Sequence, residues 1–228
     1  MLLSSLVLSF VAQQAPVQLD LPQSLPERFQ TAVEVNGQRV TLQLQRRSLR
    51  AKDFILANSD GPILDIPESR TYFGVIKELP GSAIAASLEP YGLRASIFMP
   101  DDTLLRLTPN RVRGNGWHTI AAAEAPPLEM CGIEETPLKK DKLGAGSGNR
   151  SVSVPPPSGG SHYLSPYPWQ WTMRKSRIGF DATYAHWVRE GQTVAGVTAS
   201  VEYQLAENDL VCSRDAMVSY ELTGIVIR

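Results

Sequence analysis

Strict alternation of apolar and polar positions dominates the first half of the chain. Val33 and Val35, then Val40, Leu42 and Leu44, flank the dipeptide Asn36-Gly37, which accepts the positive φ angles of a tight hairpin turn. Further alternating runs follow at 54–57, 72–76, 83–88, 93–99 and 103–107, separated by turn-rich breaks at 58–61, 80–81, 90–92 and 100–102. Residues 20–125 are therefore expected to form one antiparallel β domain with short connections. The pattern then stops. From Ala121 onward come a lysine-rich patch and a Gly/Ser/Pro stretch ending near Pro168, a composition that buries too little to order itself and predicts a linker.

A different period begins after the linker. Residues 177–180 read as a short strand, with Asp181 placed to cap a helix over 182–189. Thr193 is placed to cap a second helix, in which Val194, Val197, Val201, Leu205 and Asn208 lie three or four apart and predict one mostly apolar stripe. Residues 217–227 alternate again as a strand. A strand, helix and strand in this order predict the opening of an α/β sheet, with a right-handed crossover and parallel strands. The expected class is α+β overall, with an antiparallel β domain, a linker and a βαβ unit too small to stand alone. On that reasoning the chain is expected to be a fragment.

Composition narrows the function classes. With 22 basic against 23 acidic side chains and a formal charge of −1, the chain has no broad field for phosphate backbones. Residues 2–12 form an apolar run of signal-peptide length, too short to span a bilayer, so residues 1–15 are expected to direct export to a secreted or extracytoplasmic location. Cys131 lies in a proline-flanked stretch and Cys212 in an amphipathic run, and the two are not expected to pair.

Three segments carry a resemblance. Tyr72-Phe73-Gly74-Val75, Pro80-Gly81-Ser82-Ala83-Ile84-Ala85-Ala86-Ser87-Leu88 and Tyr91-Gly92-Leu93 together resemble the propeptide of the adamalysin (reprolysin) zinc metalloproteases, members of the metzincins. Residues 178–228 are similar to the first strand, first helix and second strand of the catalytic domain in bacterial relatives. Between them, Pro127-Leu128-Glu129-Met130-Cys131-Gly132-Ile133-Glu134-Glu135-Thr136 resembles the switch motif P-K-x-C-G-V-x-x-T, with Glu129 where the motif has a basic residue.

The resemblance implies a signal peptide at 1–15, a propeptide domain at 20–125, a switch-bearing linker at 126–168 and the start of a catalytic domain at 169–228. Cys131 is then the inhibitory zinc ligand. Its thiolate would take the position that a catalytic zinc otherwise keeps open for water, leaving no activated nucleophile. Lys139, Lys140 and Lys142 would mark the processing site, their alternative role being to solvate the linker. The implied partners are the chain's own catalytic domain, an activating protease and the parent enzyme's protein substrates. Zinc would be held by the parent alone.

The chain itself lacks that chemistry. An enzyme of this kind requires H-E-x-x-H-x-x-G-x-x-H, and the three histidines, His118, His162 and His186, stand apart. His118 and His162 fall in turn-rich segments, and His186 is expected at a helix surface. No G-x-S-x-G, phosphate loop or dinucleotide turn occurs. The rival class is a non-catalytic secreted β-rich module that binds protein or glycan, for which Tyr163, Tyr167, Trp169 and Trp171 would offer an aromatic platform.

Overall fold

A computed structural model describes residues 16–35, 37–110, 112–113, 116–123 and 173–228. The protein is α+β and built mostly of strands. Its larger sheet has eight antiparallel strands: β1 (Val17–Gln18), β2 (Arg28–Val35), β3 (Gln38–Arg46), β6 (Thr71–Ile76), β7 (Ala83–Glu89), β8 (Gly92–Phe98), β9 (Leu104–Pro109) and β10 (Trp117–Ala122). Across the sheet they run β1-β10-β9-β8-β7-β6-β3-β2. From β6 to β10 this is a meander in which successive strands pair through short connections, while β3 pairs with β6 across residues 47–70 and β1 pairs with β10. Gly37, at φ 78°, follows β2 in the two-residue connection to β3, as the sequence predicts.

Alternation gives this sheet two unlike faces. Leu42, Leu44, Tyr72, Ile76, Ile84, Ala86, Leu93, Ala95, Ile97 and Leu107 belong to one apolar core, drawn wholly from residues before 124. The intervening positions include Ala85, Ser87, Ser96, Arg94 and Arg106, which are small or polar.

The smaller sheet is ordered β11-β12-β4-β5, using β4 (Arg50–Asn58), β5 (Gly61–Pro62), β11 (Arg174–Ala182) and β12 (Val218–Ile227). β11 and β12 are parallel, as expected of a βαβ unit. β4 pairs with β12, also in parallel, and β5 turns back along β4. Between β11 and β12 lie α1 (Tyr184–Arg189) and α2 (Val194–Asp215). Thr193 caps α2 as predicted, accepting the Gly196 N–H at 3.0 Å. The cap of α1 is Thr183 rather than Asp181. Asp181 instead belongs to β11 and pairs with Arg228 at 3.0 Å.

Two expectations give way to this arrangement. The described residues on the two sides of 124–171 form one compact unit, whereas a β domain and a separate α/β piece were expected. The crossing element is β4, read in the sequence as one more antiparallel strand. It leaves the large sheet and joins β12 across more than 150 residues of sequence. Helix α2 also differs from the expected single apolar stripe. It packs against β12 on one side and β6 and β7 on another, so every residue from Val197 to Tyr203 is buried. Residues 1–15 and the linker lie outside the described residues.

Candidate functional site

Helix α2 carries charge where a buried helix would ordinarily carry none. Glu202 and Asp209 are 1% and 2% exposed, and the seven-residue spacing sets both on one side of the helix. A buried carboxylate is tolerated only when paired and hydrogen-bonded, and each of these is met from residues 47–70. Arg50 Nε donates to Glu202 Oε1, and Ser69 Oγ donates to Glu202 Oε2 at 3.0 Å. Arg50 also donates to the Pro67 carbonyl at 2.7 Å and stacks over the Phe54 ring at 5.0 Å. Asp209 Oδ1 accepts the Tyr220 N–H at 2.6 Å, which anchors the start of β12, while Arg47 approaches Oδ2 at 3.7 Å.

The large sheet adds a second row of contacts through its polar face. Tyr203 and Ser96 share a hydrogen bond of 2.7 Å between their hydroxyls. Burial holds the Tyr203 phenol above its ordinary pKa. Arg106 forks onto Glu207 at 2.6 and 3.4 Å. Arg94 lies 3.2 Å from Glu89 and 3.9 Å from Glu190, with its guanidinium 5.6 Å from the Tyr203 ring centre. These residues border a cleft of about 410 Å³ whose walls include Arg94, Arg106, Glu190, Ser200 and Glu207. Four of the seam's ion pairs thus share one polarity, with arginine before residue 124 and carboxylate after residue 173.

His186, Ser200 and Glu190 meet at the edge of this cleft. His186 Nε2 is 3.2 Å from Ser200 Oγ, which donates to Glu190 Oε1 at 3.1 Å. In a serine nucleophile relay the carboxylate holds the far ring nitrogen of the histidine. Here the carboxylate sits beside Nε2, at 3.9 Å, and itself receives the serine proton. The cluster therefore ties α1 to α2. Burial, with Arg189 nearby, lowers the His186 pKa and favours the neutral ring.

His118 corrects the reading from sequence. It lies on β10, fully buried, rather than in a turn. Its Nε2 accepts the Leu93 N–H at 2.9 Å and its Nδ1 meets the Gly116 carbonyl at 2.8 Å, an arrangement that requires the neutral Nδ1–H form. Desolvation holds its pKa below the ordinary value. Gly92, at φ 149°, leaves room for it, since a Cβ there would come within 2.7 Å of Nε2.

Cys131, Lys139, Lys140, Lys142, His162 and the aromatic residues 163–171 lie outside the described residues. Among the described residues Cys212 has no disulfide partner, and its sulfur accepts the Tyr220 hydroxyl at 3.3 Å. Among the described residues no group of three or more His, Cys, Asp and Glu side chains could hold a metal ion. The arginine-carboxylate seam had one sequence signal: carboxylates at 202 and 209 that lie three and four residues from the apolar position 205. Their partners, far away in sequence, had none.

Compared with models of known protein families and with characterised proteins, the chain matches none.

Proposed function

We propose that the chain is the front part of a secreted zinc metalloendopeptidase precursor. In this reading residues 16–123 are a prosegment that holds the metzincin-like βαβ unit of residues 173–228, and Cys131 keeps the enzyme latent as a zinc ligand. One observation carries the holding role: β4, supplied by the N-terminal region, is the strand beside β12, and it shares a core with α2. A prosegment that templates a partly built sheet would be joined to it in this way. The order of the three resembling segments supports the remainder, with the thiol of Cys131 between scaffold and held unit. A thiolate is a strong ligand for zinc and displaces the water that peptide hydrolysis needs. On this reading the histidine ligands of the catalytic zinc belong to a part of the precursor other than these 228 residues, which contain no H-E-x-x-H.

The test is the transcript that encodes the chain. The expected result is an in-frame H-E-x-x-H-x-x-G-x-x-H after codon 228, and a precursor that cleaves a fluorogenic peptide before processing when Cys131→Ser is introduced. A stop codon directly after Arg228 would overturn the peptidase reading and favour the secreted binding module. Equal latency with serine at 131 would remove the thiol from the mechanism.

A further inference from the structure

The segment 47–70 stands out for where it starts and stops. Its ends sit side by side, because Arg46 pairs with Tyr72 across β3 and β6, and the Arg47 N–H donates to the Thr71 carbonyl at 3.0 Å. It is thus an excursion from an otherwise ordinary antiparallel pair. None of its residues contributes to the core of the large sheet. Leu49 and Leu56 are buried in the second core instead, with Phe54 and Ile63 packed against it, beside Val197, Val201, Leu205, Leu222 and Ile225. From the large sheet itself, that core receives only Ala85 and the partly buried Phe73 among the described residues.

Its polar contacts run both ways: Glu68 and Arg70 bond Arg46 and Leu88 of the large sheet, while four other residues reach the βαβ unit. Arg47, Arg50, Asp53 and Ser69, all within the excursion, meet Asp209, Glu202, Arg177 and again Glu202. The two buried carboxylates of α2 therefore depend on this segment for their cationic partners. Asp53, held 2.5 Å from Arg177 on β11, has its carboxyl pKa lowered by that hydrogen bond. The excursion touches β11, α2 and β12, and its core also receives Trp187 of the short α1.

We propose that residues 47–70 are a docking arm, an interaction surface whose partner is the βαβ unit of residues 173–228, and that the large sheet folds without it. The arm recognises its partner in three ways. It adds a parallel strand to the open edge of β12, it fills the apolar face of α2, and it supplies arginines to the carboxylates at 202 and 209. The partner's requirements are equally definite: a strand edge beside a helix that carries an inward carboxylate at a position equivalent to 202. This assignment gives the holding role proposed above its contact surface and rests on that reading for its purpose. Its test involves neither zinc nor peptidase activity, so either can fail alone.

The experiment removes the arm from the full 228-residue chain by joining Arg46 to Thr71 through Asn-Gly, and follows amide hydrogen exchange by mass spectrometry. Peptides covering β7 and β8 should keep their protection. Those covering α2 and β12 should exchange at least ~10-fold faster, as segments that open locally do. Loss of protection throughout would overturn the independence of the large sheet. Retained protection in α2 and β12 would overturn the arm as the holding element. A second pair of variants guards against a deletion that fails for its own reasons. Glu202→Arg should speed exchange in α2 and β12 alone, and adding Arg50→Glu should restore part of the protection. Failure of the reversed pair to restore any would remove charge recognition from the proposal.

Discussion

His118 is held between two backbone groups that fix its protonation state. A second ring proton would face the Leu93 N–H donor at 2.9 Å with no acceptor to receive it, so the folded protein resists protonation more than the unfolded chain does. The folded pKa is lowered, which means the unfolded state binds more protons as pH falls below about 6.5, the ordinary imidazole value. Stability is then complete above that pH and declines as acid carries the solution down toward the folded pKa. We expect the urea midpoint to fall as the pH drops below about 6.5. His118→Gln, whose side-chain carbonyl can take the same N–H, should flatten the profile. Equal steepness with and without His118 would place the effect elsewhere. The sequence hid this role, because a histidine among glycines and tryptophan looks like a turn residue until the β9–β10 pairing encloses it.

At the scale of an element, α2 shows what periodicity conveys and what it omits. Thr193 and the 3.6-residue spacing announced the helix and its start. They could not announce that two sheets would cover it, because the second surface comes from strands more than 90 residues earlier. Charges on that helix should accordingly differ in worth. Glu202 is nearly inaccessible and paired with Arg50, whose side chain is 15% exposed. Glu202→Gln leaves a buried guanidinium without its counter-charge and should destabilise by about 3–5 kcal/mol. Glu207 pairs with Arg106, whose side chain is 46% exposed, and Glu207→Gln should cost about 1 kcal/mol or less, because solvent screens such pairs. Chemical denaturation of the two variants compares them directly. Similar losses would mean that the seam is uniformly wet.

Across the whole molecule, local signals located the described strands other than β1, β5 and β10, and non-local pairing decided the architecture. Asn36-Gly37 and the breaks at Pro80-Gly81 and Pro90-Tyr91-Gly92 correctly delimited strands of the large sheet. Period two says which side of a strand is apolar but not which sheet will receive it, so β4 looked like its neighbours. β10 gave a weaker pattern and was not singled out. The arginine-carboxylate seam was largely illegible for the same reason. Arg47 and Arg50 read as ordinary surface charges until β4 is seen leaving the large sheet. The residues nominated from the resemblance, Cys131 and the lysines at 139, 140 and 142, lie outside the described residues, so the geometry speaks to the scaffold and not to the switch.

Gly224, on β12, lies close against the arm: a Cβ built there would come within 2.9 Å of the Ile55 carbonyl oxygen. Backbone cannot swing aside as a side-chain tip can. A single methyl group at this position is therefore a wedge, able to pry the borrowed strand from its berth while every charge and every apolar side chain stays in place. Gly224→Ala should accelerate amide exchange along β4 and β12 and leave β7 and β8 untouched. An unchanged exchange map would show that the two strands have slack to spare.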